Sequence, residues 1–583
     1  MFRLFRYLRG YVRESIIAPL FKMLEASFEL FVPLVMANII DVGIKNGDTA
    51  YIWRQCAVLI FLGVFGFGCS ITAQYFAAKA SMGLGTGLRR DLFHHIHGFS
   101  YTELDQIGTP TLVTRLSSDV NQVQTGVNLL LRLFMRSPFI VVGAVVMAFA
   151  ISPGMTVIFL AAVLLMALAI FLIVKITVPI YKKAQNTLDR VMLLTRENYV
   201  GARVVQAFSR QEDEKKEFAG ANDLLKGIQQ KAGRISALMN PVTYVLVNLA
   251  IIAILLQGGV QVDTGMLTQG EVIALVNYMN QILVALIALA NLIITASKAW
   301  ASAARVNEVF DTPSTMKEGE RQVKEKEEAP AVSFSHVNFT YARAGAPSLT
   351  DISFKAEKGE TIGVIGGTGS GKSTLVSLIP RFYDTTGGEV CVSGVNVKEY
   401  PFRQLRRKIG MVPQKAVLFA GSIRDNMKWS REDVSDQEIW EALEIAQARE
   451  FVEKKDGLDE QIAPGGRNLS GGQRQRLTIA RALAGKPEIL ILDDSASALD
   501  FATDAALRRA IRGLGGGTTT FLVSQRIAGI RQADRILVLG NGRLVGQGTH
   551  DELMASCDVY REIYFSQFPE ERAAETAQKE GAL

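Results

Sequence analysis

Apolar stretches long enough to cross a bilayer recur six times within residues 1–310. A span needs about 20 mostly apolar residues, and such runs lie near 15–41, 55–79, 132–151, 155–175, 241–262 and 271–297. Thr156 to Val174 carries no charge, whereas the first run carries Lys22, Glu25 and Glu29. Residues 80–131 and 176–240 keep helical periodicity while turning polar, which predicts membrane helices that extend well past the bilayer. These two stretches and the start (Arg3, Arg6, Arg9, Arg13) are rich in basic residues; Ile151-Ser-Pro-Gly154 and Gly259 to Gly270 have none. Basic flanks stay cytoplasmic, so the N-terminus, both long segments and everything after 298 are expected there. FRLFRYLRGYV, within 1–14, reads as an amphipathic helix on the membrane surface.

The pattern changes after 310. Residues 311–330 hold Pro313 and the charge run Lys317 to Glu328 without apolar periodicity, the pattern of a solvated tether. From Ala331, short apolar strands alternate with helical stretches, as at Val332 to Tyr341, Thr361 to Ile365, Glu488 to Asp493 and Thr519 to Ser524. Asn541-Gly542 between RILVLG and RLVGQG marks a hairpin. The expected organisation is a surface helix at 1–14, a polytopic α-helical membrane domain at 15–310, a linker at 311–330, an α/β domain at 331–568 and a polar tail at 569–583.

Composition agrees with a membrane protein. The chain has 583 residues, a mass of 63.8 kDa and a mean hydropathy of +0.19, too long for one domain and too apolar for an ordinary soluble enzyme. A net charge of +6 is modest at this length; its basic clusters follow topology, and no nucleic-acid partner is expected. Cys56, Cys69, Cys391 and Cys557 lack disulfide or zinc spacing. The basic, amphipathic start does not have the form of a cleavable signal peptide.

Chemistry concentrates in the α/β half. Gly366-Gly367-Thr368-Gly369-Ser370-Gly371-Lys372-Ser373, followed by Thr374, fits GxxxxGK[ST] between a strand and a helix. Its glycines let backbone N–H groups fold around phosphates, Lys372 offsets phosphate charge, and the Ser373 hydroxyl suits Mg²⁺. The helix start adds its dipole to the anion site. Further along stands the run Leu469-Ser470-Gly471-Gly472-Gln473.

With these motifs in order, the chain resembles a half-transporter of the ATP-binding cassette (ABC) exporter family, over nearly its whole length. The resemblance implies the type I exporter (type IV ABC transporter) fold, six membrane helices fused to a P-loop NTPase cassette, with ATP and Mg²⁺ as cofactors. It implies that Tyr341 stacks on adenine as the A-loop aromatic and that Gln414 reaches Mg²⁺ as the Q-loop residue. Asp493, ending Ile489-Leu-Ile-Leu-Asp493, would hold Mg²⁺ through water. LSGGQ and Asp500 of the D-loop Ser497-Ala-Leu-Asp500 would serve the nucleotide of the opposite cassette. Gly108 to Asp119 and Arg203 to Phe218 resemble the segments around the two coupling helices.

Two positions depart from the family. Its general base is normally Glu, and here the residue is Asp494, one methylene shorter. A base must come within about 2.6–3.2 Å of its water, and a misplacement of about 1 Å can cost on the order of 10²-fold in rate. The switch histidine is Gln525, which cannot become cationic; His550 lies elsewhere. Ile462-Ala-Pro-Gly-Gly466 also lacks the Glu of the X-loop. An intact signature beside an altered base and switch implies a heterodimer: this chain's site holds ATP and hydrolyses it slowly, and a second half-transporter supplies Glu and His. Such an exporter would work in the plasma membrane on a hydrophobic or amphipathic small molecule, drug or lipid. A slow homodimer and an ATP-gated regulatory membrane protein remain alternatives.

Three patterns invite over-reading. Gly83, Gly85 and Gly87 follow no strand and read as close helix packing. His94, His95 and His97 lack a further ligand. Lys22, Glu25 and Glu29 read first as helix-surface pairing and second as a polar wall of a translocation path.

Overall fold

The computed structural model describes residues 2–319, 323–324, 326, 328–495, 499–514 and 517–571. The chain divides into two compact units: residues 1–97 with 110–312, and residues 98–109 with 313–583.

The first unit is helical. Its elements are α1 (Val12–Asn38) and α2 (Thr49–His97); then, past the short α3 (Tyr101–Ile107) of the second unit, α4 (Thr109–Thr114), α5 (Val120–Leu133), α6 (Arg136–Ile151), α7 (Pro153–Val200), α8 (Ala202–Ala207), α9 (Gln211–Ala237), α10 (Met239–Asp263) and α11 (Gln269–Asp311). Among the described residues, six helices are long and apolar enough to cross a membrane, at Arg3–Ile44, Thr49–His97, Thr109–Ile151, Pro153–Val200, Gln211–Asp263 and Gln269–Asp311. At 1.5 Å per residue they run about 63–80 Å, more than twice a hydrocarbon core of about 30 Å. Their core joins Met155, Phe159 and Met166 of α7 to Val247 and Ile254 of α10 and Leu275, Tyr278 and Ile282 of α11. Tyr278 is fully buried, and its hydroxyl donates to the Leu30 carbonyl at 2.6 Å.

The N-terminal segment winds as a tight 3₁₀ helix over Phe2–Tyr11 and runs directly into α1. It packs on the glycine run of α2: a Cβ at Gly83 would lie 2.1 Å from the Tyr11 ring, and one at Gly87 would lie 3.2 Å from the Tyr7 ring. Close packing is thus what these glycines serve. His95 Nε2 lies 3.0 and 3.1 Å from the carbonyls of Val309 and Thr312, and no metal-binding cluster exists among the described residues. The three acidic and basic groups of α1 divide. Lys22 and Glu25 pair one turn apart at 2.6 Å, buried, with Lys22 also donating to Ser70 at 3.1 Å. Glu29 instead accepts twice from Arg136 of α6 at 2.8 Å.

The second unit carries three sheets. Strands β1 (Val332–Phe339), β2 (Leu349–Ala356), β4 (Gly387–Val392) and β5 (Val395–Asn396) form an antiparallel sheet ordered β2-β1-β4-β5. A six-stranded sheet, ordered β12-β11-β3-β10-β9-β6, is built from β3 (Thr361–Gly366), β6 (Ile409–Val412), β9 (Ile489–Asp493), β10 (Thr519–Val523), β11 (Arg535–Gly540) and β12 (Arg543–Gly548). It is parallel except for the β11–β12 hairpin turning at Asn541-Gly542. The two-stranded third sheet pairs β7 (Gly421–Ser422) with β8 (Gln461–Ile462). Helices α12 (Lys372–Leu378), α13 (Phe402–Arg407), α14 (Ile423–Lys428), α15 (Asp436–Ile445), α16 (Arg449–Glu453), α17 (Gly471–Ala484), α18 (Phe501–Arg512), α19 (His550–Ser556) and α20 (Asp558–Gln567) complete it. β9 is buried at all five positions, as a central parallel strand covered on both faces must be.

Two segments pack within the α/β unit. Residues 98–109 fall within 15–310 but group with the α/β unit, because α3 is anchored there: Tyr101 packs on Phe382 with ring centroids 4.6 Å apart, and the Tyr383 hydroxyl donates to Asp105 at 2.7 Å. The docked helix therefore precedes most of Gly108 to Asp119. The 311–330 stretch is not a free tether where it is described. Gly319 N donates to the Tyr400 carbonyl at 3.3 Å, Glu318 accepts from Phe402 N at 2.9 Å, and Val323 and Gln404 exchange bonds of 3.2 and 3.0 Å. A Cβ at Gly319 would lie 1.9 Å from the Glu399 carbonyl, so only glycine permits that approach.

Candidate functional site

The C-terminal ends of β3, β9 and β10 meet at one edge of the parallel sheet, where open α/β sheets place ligands. Tyr341, Thr368, Gly369, Ser370, Gly371, Lys372, Ser373, Thr374, Gln414, Asp493, Asp494 and Gln525 line a cleft of about 370 Å³ there. Gly366 ends β3, and the Gly367 carbonyl after it accepts from Ser370 N at 3.2 Å. The loop needs its glycines: Gly369 and Gly371 have φ of 79° and 98°, and a Cβ at Gly371 would lie 2.8 Å from the Ser348 carbonyl. Lys372 Nζ donates to the Gly366 and Gly367 carbonyls at 2.9 and 2.8 Å, which curls the side chain over its own loop. Ser370 Oγ is buried with no hydrogen-bond partner among the described residues, a donor aimed at no protein acceptor.

Tyr341 lies just past β1 rather than within it. Its hydroxyl is 3.0 Å from Thr374 Oγ1, and its ring stands edge-on to Phe339 and Tyr383, with centroids at 4.8 and 5.2 Å. Those contacts hold the ring at the mouth of the cleft.

Ser373 Oγ donates to Asp493 Oδ1 at 3.0 Å, and Gln414 Nε2 reaches Asp494 Oδ2 at 3.4 Å. Asp494 has φ of 45°, with its N–H on the Val523 carbonyl at 3.0 Å; the left-handed backbone costs strain that functional sites commonly retain. Burial pushes the Asp493 carboxyl up, and neighbouring Asp494 pushes it further. Burial also raises Asp494, against Lys372, and burial pulls the Lys372 ammonium down. Two adjacent acids with raised pKa values, beside a hydroxyl and an amide oxygen, form a hard oxygen donor set of the kind Mg²⁺ takes. These residues fit the ion.

The switch position, Gln525, is exposed. Its carbonyl accepts from Gln567 Nε2 at 2.8 Å, while Gln567 Oε1 accepts from Ile527 N at 2.9 Å. One α20 side chain thus clamps the loop after β10, a contact that no sequence motif announced.

Leu469 to Gln473 lie apart from this cleft. Ser470 caps α17: its Oγ accepts from Gln473 N at 3.3 Å, and Gln473 Oε1 accepts from Ser470 N at 3.0 Å. Gly471 and Gly472 open the helix, where N–H groups have no intrahelical partner. Asp500 caps α18 through Thr503, with Thr503 N donating at 2.9 Å; those bonds hold its carboxyl below the usual range. Ser497 and Ala498 of the D-loop lie outside the described residues.

Residues 15–286 match the family described as ABC transporter transmembrane region, and residues 349–497 match ABC transporter. The chain is 38% identical to an uncharacterized ABC transporter ATP-binding protein of Mycobacterium tuberculosis, across 96% of this chain and 97% of that one. It is 32% identical to a fatty acid ABC transporter ATP-binding/permease protein of Mycobacterium bovis, across 82% of this chain and 75% of the relative. Among solved structures, a bacterial Atm1-family ABC exporter with ATP bound shares the fold at a TM-score of 0.79, with 23% identity over 96% of this chain and 98% of that one. The chain belongs to the ABC transporter family, with the family's membrane region and ATP-binding cassette on one polypeptide.

Proposed function

We propose that this chain is the slow-site subunit of a heterodimeric exporter, carrying an amphipathic small molecule, drug or lipid across the plasma membrane. One observation carries the reading: a complete phosphate loop and Mg²⁺ donor set share their cleft with Asp494 and Gln525 where the family has Glu and His. Tyr341 stacks on adenine, residues 366–374 hold the phosphates, and Ser373, Gln414 and Asp493 (the last through water) hold the metal. Mg²⁺ bound there would offset phosphate charge. Asp494 is short for a base, and Gln525 contacts the γ-phosphate without a positive charge. The Ser470 to Gln473 signature and Asp500 complete the partner's site, which carries the Glu and His.

ATP moves the assembly only through a preference for the closed state. Closure of the two cassettes, with α3 docked on this one, shifts the long helices; hydrolysis at the partner's site resets them. The N-terminus and the cassette are cytoplasmic. A fatty acid carrier among the relatives supports an amphiphile as cargo.

The test is Glu→Gln at the partner's catalytic base. ATPase of the assembly is expected to fall by on the order of 10²-fold or more; activity near wild type refutes the one-good-site reading. In parallel, Asp494→Glu with Gln525→His should raise turnover at this chain's own site. A chain that is already a fast ATPase alone refutes the slow site.

A further inference from the structure

We propose that the second unit carries a further anion site, separate from the phosphate loop, in which Arg509, Arg512 and Arg531 bind a nucleoside polyphosphate.

The site is a cleft of about 500 Å³ between α18 and residues 528–533, on the six-stranded sheet. Leu522 and Val523 are neighbours on β10, and neighbours on a strand face opposite sides. Val523 lines the phosphate-loop cleft, whereas Leu522 lines this one. The two clefts share no lining residue.

Charge is the first observation. The lining holds Arg508, Arg509, Arg512 and Arg531 and no carboxylate. Arg508 is already committed: its guanidinium pairs with Asp504 and donates to the Ala528 carbonyl. Arg509 donates only through Nε, to the Ala505 carbonyl at 3.4 Å. Arg512 has no ion pair or side-chain hydrogen bond among the described residues. Arg531 lies over the Tyr564 ring, 6.0 Å from its centroid, with no acid paired to it among the described residues. Guanidiniums stay charged at any working pH, and like charges around one cavity repel. The C-terminal dipole of α18 accounts for Arg509 and Arg512, which sit in its last turn. It does not account for Arg531, which enters from the other wall after the turn at Ile527–Gly529.

The floor is a second, independent observation. β10 runs between β3 and β9, and a central parallel strand is normally covered on both faces. Leu522 is the one position of five on β10 left partly open. It lies in the seam between two core clusters, one holding Leu507 and Ile511 and the other Ile530 and Phe568. Phe568, backed by Tyr564 with ring centroids 4.9 Å apart, presents a half-buried ring to the cleft.

These two features select the ligand. Three cations without an acid exceed the charge of one carboxylate or of one phosphate monoester, about −2 at most. Guanidinium forks match phosphate oxygens in pairs, so a polyphosphate answers the rim. An apolar floor beside an aromatic ring takes a nucleobase. The volume falls in the small-molecule range of about 300–1,000 Å³. An acidic peptide strand finds no free edge, because β10 is paired on both sides.

The experiment is calorimetry on the full chain in its membrane assembly, with the phosphate-loop clefts filled by a non-hydrolysable ATP analogue and Mg²⁺. The probes are guanosine tetraphosphate, tripolyphosphate, guanosine and a glutamate-rich peptide. Guanosine tetraphosphate should bind saturably, one per copy of this chain, and about threefold or more tighter than tripolyphosphate. Guanosine and the peptide should bind more weakly still. Arg509→Gln combined with Arg512→Gln, both exposed, should weaken the nucleotide about tenfold or more, and Arg531→Gln on the other wall should do the same. Absence of saturable nucleotide binding overturns the site, as does an affinity unchanged in both variants. A smaller preference over tripolyphosphate, or tighter binding of the peptide, overturns the ligand class. If the double variant does not fold, Arg531→Gln decides alone. Hydrolysis plays no part in these measurements, so the slow-site reading stands or falls separately.

Discussion

Glu103 Oε1 accepts both the amide and the hydroxyl of Thr315, at 3.1 and 2.7 Å, joining residues 212 positions apart. Its other oxygen accepts the amide and hydroxyl of Ser100 at 2.7 and 2.6 Å. One buried carboxylate therefore fastens α3 and the start of the linker to the same point of the cassette unit. Burial alone would raise its pKa, but the bonds from Ser100 and Thr315 prevail and hold the carboxyl below the usual range.

Glu103→Gln should cost about 1–3 kcal/mol, since an amide nitrogen would face donors. The sign of the pH effect follows from the lowered folded pKa. The contribution is present above the unfolded value of about 4.3 and is lost as pH falls through the folded one. Thermal unfolding of wild type and variant at pH 7 and in acid checks this. The gap should narrow in acid, and a gap that widens contradicts the assignment.

Asp493 has the opposite sign. Its folded pKa is raised, so protonation stabilises the fold, and that contribution fades as pH rises through the folded value. Asp493→Asn keeps an acceptor for Ser373 and removes a buried charge. The nucleotide-free protein should melt higher than wild type at pH 7, with the difference shrinking in acid, while Mg²⁺-dependent ATP binding is lost. A lower melting point at pH 7 contradicts the electrostatics.

Local encoding explains what was legible. The phosphate loop is set by glycine spacing, and a buried strand ending in Asp493 by an unbroken apolar run, so both could be read from a few adjacent residues. The six spans were legible because bilayer thickness fixes their length. The docking of Glu318, Gly319 and Val323 was not, because Tyr400, Phe402 and Gln404 lie some 80 residues away and the charge run looked solvated. Glu103 and Gln567 read as ordinary polar positions on helices until their partners, Thr315 and the Gln525 loop, were placed beside them.

Tyr341 separates ring stacking from its hydroxyl. Tyr341→Phe loses the 3.0 Å contact with Thr374 but keeps the face, and ATP binding should stay within about threefold of wild type. Tyr341→Ala removes the stacking platform, and an aromatic pair is worth about 0.5–1.5 kcal/mol beyond area burial, so ATP should bind about tenfold more weakly. Fluorescent ATP-analogue titration of both variants checks this. Equal losses in the two would place the effect in the Thr374 contact instead.

Ser470 has two duties in this reading, and a substitution can divide them. It caps α17 in reciprocal bonds with Gln473, a fold role, and it faces the partner-held γ-phosphate, the proposed trans role. Asp caps helices about as well as Ser, while Ala costs about 1 kcal/mol. Ser470→Asp should therefore leave the melting temperature near wild type, and Ser470→Ala should lower it. Hydrolysis should rank the other way. A carboxylate set against the γ-phosphate repels it, so Ser470→Asp should lose about tenfold or more of the assembly's ATPase, and Ser470→Ala should lose less. Ser470→Asp with full ATPase would confine Ser470 to capping and remove this chain's signature from the partner's reaction.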